Sequence, residues 1–207
     1  MKRTVAIALV ILMFGIPTVR AGVKEDFQKA RQYYREGKYA EALVLFKKVA
    51  KKRKKNAQVR YFMALCHLKQ KNWDAAIRMA DEALTRNPEM IKAFLAKADA
   101  YIGKEAYDTA LEVLAAALEK APENPDLHFT RGLALSHKED YAGAIEAFKK
   151  VLEKQPQRAY AHYYLGLSYY YSGKKAHAIE SLQRFLDLAP DAPEAPMVRE
   201  LLKRLQG

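Results

Sequence analysis

PDLHFTRGLALSHKEDYAGAIEAFKKVLEKQPQR, residues 125–158, is the stretch on which the fold turns. Its first half sets small and apolar residues at helical spacing: Leu127, Gly132 and Leu135. A polar break from His137 to Asp140 follows. The second half resumes the pattern with Tyr141, Ala144, Ile145, Phe148, Val151 and Leu152, and Pro156 closes the segment. Steps of three and four residues put these side chains on one helix face, so the segment predicts two antiparallel helices joined by a short turn. The small residues in both halves predict a close crossing between them.

Residues 34 apart, set beneath one another, tile Val23 to Ala192 into five such units without an insertion: 23–56, 57–90, 91–124, 125–158 and 159–192. One column is alanine throughout, Ala42, Ala76, Ala110, Ala144 and Ala178. Another is always small: Ala30, Ala64, Ala98, Gly132 and Gly166. Aromatic residues recur at Tyr39, Trp73, Tyr107 and Tyr141, and again at Tyr33, Tyr101 and Tyr169. Pro88, Pro122, Pro156 and Pro190 end each pair, since proline removes a helical donor.

This period, with its Ala/Gly, Tyr, Ala, Phe and Pro columns, resembles the tetratricopeptide repeat family. The resemblance spans 170 of the 207 residues. It departs from the pattern at the ends, with Lys54 in the proline column, Lys175 in the Tyr/Trp column and Phe185 among Val49, Ala83, Ala117 and Val151. Terminal repeats have one neighbour only, so looser agreement is expected there. The family implies an all-α, right-handed solenoid of five helix pairs. After Pro193, residues 193–207 add a closing amphipathic helix, with Val198, Leu201, Leu202 and Leu205 on one face and Arg199, Glu200, Lys203 and Arg204 on the other.

The resemblance also implies that the first helix of each pair lines a concave groove. Carried over to this sequence, that groove holds Phe27, Arg31 and Tyr34, then Tyr61, Phe62, Leu65 and Lys69. Leu95, Asp99 and Ile102 come next, followed by Phe129, Leu133 and His137. The fifth unit supplies Tyr160, Tyr163, Tyr164, Leu167 and Tyr171, although packing of Tyr163 and Tyr164 on the fourth unit is an alternative. An apolar, tyrosine-rich groove suits an amphipathic or extended peptide. The family's carboxylate-clamp subgroup needs lysine and asparagine at groove places that here hold mostly Phe, Tyr and Leu, so that reading is rejected.

Half the residues are hydrophobic and the net charge is +12, which suits one soluble domain with a continuous core. Met1-Lys2-Arg3 precedes sixteen uncharged residues, Thr4 to Val19, and Val19-Arg20-Ala21 offers a peptidase site. Residues 1–21 thus read as an export leader cleaved before Gly22, with an uncleaved anchor as the alternative. The run is short for a span that needs roughly 20 residues. Cys66, the single cysteine, forms no intrachain bridge and reads as a small buried hydrophobe.

Charge is concentrated. The first unit carries twelve basic and four acidic residues, and Lys47, Lys48, Lys51, Lys52, Arg53, Lys54 and Lys55 crowd the end of its second helix. Cations favour a helix C-terminus, yet five consecutive ones repel each other, which points to an anionic lipid, polymer or protein. The patch lacks the interleaved aromatics of a nucleic-acid binder. His128 and His162 share a column with Arg60 and Phe94, lack the i, i+4 spacing of a helical metal pair, and read as packing or hydrogen-bonded residues. No nucleophile–base pairing or phosphate loop stands out.

The expectation is therefore an exported scaffold, without enzymatic activity, metal or cofactor, that holds a protein or peptide in a bacterial cell envelope. An electrostatic tether to an anionic surface is the alternative. N-terminal sequencing of the exported protein should begin at Gly22, and a mature pool retaining residues 1–21 would mean an anchor instead.

Overall fold

The computed structural model describes residues 17–207, with side chains from residue 22 onward. The described residues hold eleven α-helices and no strand. Ten form five antiparallel pairs: α1 (Pro17–Arg35) with α2 (Tyr39–Lys52), α3 (Ala57–Lys69) with α4 (Trp73–Arg86), and α5 (Ile91–Gly103) with α6 (Tyr107–Lys120). The series continues with α7 (Pro125–His137) and α8 (Tyr141–Lys154), then α9 (Ala159–Tyr171) and α10 (Lys175–Leu188). The last helix, α11 (Ala195–Gln206), lies against α10. Most of the expected leader falls outside the described residues, and the backbone of residues 17–21 already belongs to α1.

One turn motif joins the helices within every pair. Gly37, Lys71, Glu105, Glu139 and Gly173, each 34 residues from the next, all have positive φ, between 56° and 76°. The following N–H reaches back five residues, from Lys38 to Tyr33, Asn72 to His67, Ala106 to Tyr101, Asp140 to Leu135 and Lys174 to Tyr169, at 2.9–3.0 Å. This is the Schellman ending, which satisfies carbonyls that a helix end leaves without partners. The turns between pairs are tighter. Asn87, Ala121 and Gln155 accept from the N–H three residues on at 3.0–3.1 Å, which places Pro88, Pro122 and Pro156 second in a four-residue turn. Asn56, Asn72, Asn124 and Asp140 cap the helices that follow them.

The core follows the small columns. All five members of the alanine column are fully buried, and so are Ala30, Ala64 and Ala98. Facing the small column across each pair stand Phe46, Ala80, Leu114, Phe148 and Leu182, again 34 apart and all fully buried. A Cβ added at Gly132 would lie 2.6 Å from the Phe148 ring, and one at Gly166 would lie 2.7 Å from Leu182. Glycine is thus required where its partner is large. Ala64 against Ala80 needs no such concession.

Consecutive first helices touch along the array, α1 with α3, α3 with α5, α5 with α7 and α7 with α9. Among the described residues no two of α2, α4, α6, α8 and α10 come as close. The stack is therefore narrower on the side of the first helices, and these form the concave inner face. At the end α11 packs Ala195, Val198 and Leu202 onto Leu182, Phe185 and Leu186, but its backbone does not reach α9.

Two substitutions test this description by thermal or denaturant unfolding. Gly132→Ala should cost about 1–3 kcal/mol because the fully buried Phe148 ring has nowhere to move, while exposed Glu146→Ala should cost far less. Glu105→Gly should instead stabilise by about 0.5–1 kcal/mol, since it relieves a left-handed non-glycine residue. Loss of stability in the second variant would contradict the turn geometry.

Candidate partner groove

The inner face divides into three parts along α1 to α11. At the N-terminal end, Phe27, Tyr34 and Phe62 are half-buried and packed on the first core cluster. Phe62 stacks on buried Phe46 with centroids 5.5 Å apart, and the Arg31 guanidinium lies 5.5 Å from the centre of the Phe62 ring. These rings form a wall under arginine, with Tyr61 beside them.

The middle part carries a charge. Asp99 on α5 keeps an exposed edge along the groove while neighbouring protein takes much of the water from its carboxyl, and half-buried Leu65 and Leu95 lie on the same face. Protein crowding pushes its carboxyl up to about 6, against the opposing pull of Lys69. Burial, and then the Asp99 charge, raises the Tyr61 hydroxyl pKa.

The C-terminal part does not keep all the expected anchors free. Tyr163 is 7% exposed, held among Phe185, Leu182 and the α11 residues Val198 and Leu202, and lines the hollow between α9 and α11. It serves the junction between the fifth pair and α11 and shows only an edge to the groove. Tyr160 leans on Phe185, and its hydroxyl donates to Glu194 at 2.9 Å, tying down the linker before α11. Tyr164 stacks on Phe148 at 5.8 Å, the packing on the fourth unit that the sequence allowed as an alternative. Phe129 is roofed by the Arg158 guanidinium at 4.1 Å.

What remains open is Tyr171, 61% exposed, with Tyr170 and Met197 beside it at 39% and 53%. The Tyr171 ring is stacked on Tyr141, centroids 5.3 Å apart, so its position is fixed before any ligand arrives. Leu167 and Tyr171 form the ridge between two hollows of about 480 Å³ each. One lies toward α7, over Leu133, His137 and Tyr164. The other fills the gap between α9 and α11, over Tyr170, Met197, Leu201 and Arg204. Tyr170 and Met197 were missed from the sequence because they enter the groove only through the wider α9–α11 spacing.

His128, His162 and Cys66 are taken up by the fold. His128 and His162 each set Nε2 against the carbonyl of the proline six residues earlier, at 2.7 and 2.9 Å, so each ring nitrogen donates to a turn and braces it. Burial pushes the Cys66 thiol up to about 12, which leaves it without thiolate near neutral pH. A hollow of about 570 Å³ on the outer side, between α8, α9 and α10, mixes Lys149, Arg184 and His177 with Glu180 and Asp187. Lys149 there is paired with Glu146 at 3.3 Å. Among the described residues no group of three or more His, Cys, Asp or Glu side chains is placed to hold a metal ion.

Tetratricopeptide repeat family models match residues 33–98, 95–159 and 138–193. The chain belongs to the tetratricopeptide repeat family. Its fold is similar to a thermophilic tetratricopeptide protein of Thermus thermophilus, at TM-score 0.73 and 20% identity over 89% of this chain and 98% of that one. It is also similar to MamA residues 41 to the end from Desulfovibrio magneticus RS-1, at TM-score 0.70 and 23% identity over 83% and 97%. A third likeness is YrrB, described as a TPR protein with an unusual peptide-binding site, at TM-score 0.64 and 21% identity over 87% and 97%. No curated protein sequence matches the chain.

The raised Asp99 pKa makes a signed prediction. The folded state keeps this proton where the unfolded chain has lost it, so the stabilising effect of this group is full in acid and is lost as pH rises from 3.8 through about 6. Asp99→Asn should remove that decline from the melting-temperature profile and melt higher than the wild type at neutral pH. Parallel profiles for the two proteins would mean that the carboxyl is not crowded.

Proposed function

We propose that the protein is an exported scaffold that holds a protein or peptide partner against the C-terminal third of its concave face, in the assembly or tethering of a bacterial cell-envelope complex. The observation that carries this reading is the Leu167–Tyr171 ridge standing between two hollows on the inner face. A tyrosine stacked on one side and open on the other offers apolar area at little further cost in side-chain freedom, as binding anchors do. The hollows beside it suit apolar side chains of an amphipathic or extended segment, and the rims, with His137, Glu139, Glu200 and Arg204, suit its polar groups. The leader-like run of residues 1–21 is in keeping with export, and the peptide-binding description of one structural neighbour is in keeping with a peptide ligand. A face built of stacked rings and apolar hollows, with no nucleophile set beside a base among the described residues, favours a scaffold over an enzyme.

The partner should be captured by crosslinking in intact cells and its affinity measured with purified variants. Tyr171→Ala with Met197→Ala should raise the dissociation constant at least about tenfold, because burying large side chains contributes roughly 1.5–3 kcal/mol each. Circular dichroism should be unchanged, since both residues are exposed. Tyr160→Ala is a poorer test because it also cuts the tie to Glu194. Unaltered affinity in the double variant would remove the ridge from the binding site.

A further inference from the structure

One column of the first helices runs along the inner face: Arg31, Leu65, Asp99, Leu133 and Leu167, each 34 residues from the next. Four of the five are half-buried, and Asp99 alone is exposed. Around it on α5, Ala96, Ala98 and Ala100 are buried. Its carboxyl is crowded by protein and still open on one side, as a group on the floor of a concave surface is.

Asp99 is also without a counter-charge. Asp26 pairs with Lys48, Asp74 with Lys104, Asp81 with Lys97, Asp108 with Lys138 and Asp126 with Arg158, whereas among the described residues no ion pair is made by Asp99. Lys69, one helix back, pulls against the crowding of the carboxyl but stays beyond ion-pair distance. A carboxylate stripped of water and given no partner is a cost to the fold, which a cation from outside removes. Tyr61 on α3 is near enough for the Asp99 charge to raise its hydroxyl pKa, so a phenol ring stands beside the carboxyl. Carboxylate and aromatic ring are both attractive to an ammonium or guanidinium group.

Leucines flank this position in the column, Leu65 on α3 and Leu133 on α7, and both helices touch α5. Leu133 also lines the hollow beside the Leu167–Tyr171 ridge. A segment that fills this hollow and continues one unit toward the N-terminus therefore reaches Asp99. Resting on the groove reading above, we propose that the partner is a protein segment with a lysine or arginine between apolar residues, its cation seated on Asp99 beside Tyr61. An acidic segment is repelled at the same place, so the carboxylate sets specificity as well as affinity. Overall charge works the other way: at +12 the chain as a whole attracts acidic ligands. A preference for cations is thus traceable to the groove.

The test is selection on the full chain from displayed random peptides, each about 12 residues and so about 40 Å when extended, at about 0.15 M salt. Recovered sequences should carry a lysine or arginine between apolar residues at least about threefold above its library frequency. Asp99→Asn should return the same apolar residues without the basic one, and Asp99→Arg should favour aspartate or glutamate in its place. A recovered peptide should bind the Asn variant at least about tenfold more weakly. Lys69→Gln should bind it as well or better, because a competing cation has gone. If Asp99→Arg fails to fold by circular dichroism, Asp99→Asn decides alone. Apolar peptides without a basic preference, still lost on Tyr171→Ala with Met197→Ala, would overturn the inference and leave the groove reading standing. Basic peptides that ignore Asp99→Asn, or acidic ones held regardless of it, would overturn it as well. Self-association of the full chain that the peptide reverses would make the occupant a second copy and overturn the assignment to a separate partner. Recovery of no peptide would overturn both readings.

Discussion

Close approach of two helices at a small residue is the contact on which the rest of this structure depends. In each pair a buried alanine or glycine of the first helix receives a side chain from the second, and at Gly132 and Gly166 there is no room even for a Cβ. Ridges can interlock at that distance only where one side is nearly bare. Because the same contact recurs every 34 residues, so do the Schellman turn, the proline turn and the spacing of neighbouring pairs. The first helices end up in contact and the second helices do not, which bends the array around the first. Concavity here is a consequence of packing geometry, and the groove is a consequence of concavity.

Within that groove, burial decides which aromatic residues can serve a ligand. Most are committed to the fold: Phe62 to Phe46, Tyr164 to Phe148, Tyr163 to Phe185 and α11. Tyr171 differs because Tyr141 supports one face of its ring while most of the residue stays open. The open ridge therefore sits where the regular series of first-helix contacts stops, at the gap between α9 and α11. An irregular step in a regular array makes room that the interior repeats lack.

The repeat length, the helix pairs, the small columns and the closing helix were all legible in the sequence, because periodic burial writes itself as periodic residue type. The left-handed turn column was not. Only Gly37 and Gly173 carry the expected residue, while Lys71, Glu105 and Glu139 accept the strain, so residue type hides the conformation. The groove was half legible. The family pattern names a face but cannot tell a ring that fills the core from one that stands open, since both fall on the same stripe. Tyr163 and Tyr171 lie eight residues apart on one helix and differ only in what lies opposite them. The lysine run was visible in the sequence, whereas the ion pairs that Glu89 and Glu123 make at the place Lys55 holds in the first unit were not.

Site-specific photocrosslinking at two exposed positions tests the central claim that partners meet the inner face. Tyr171 and Val44 are similarly open, at 61% and 67%, but belong to a first and a second helix respectively. A photoreactive phenylalanine analogue at position 171 should yield a discrete crosslinked partner in intact cells, and the same group at position 44 should yield none. Crosslinking confined to position 44, or equal at both, would contradict the account.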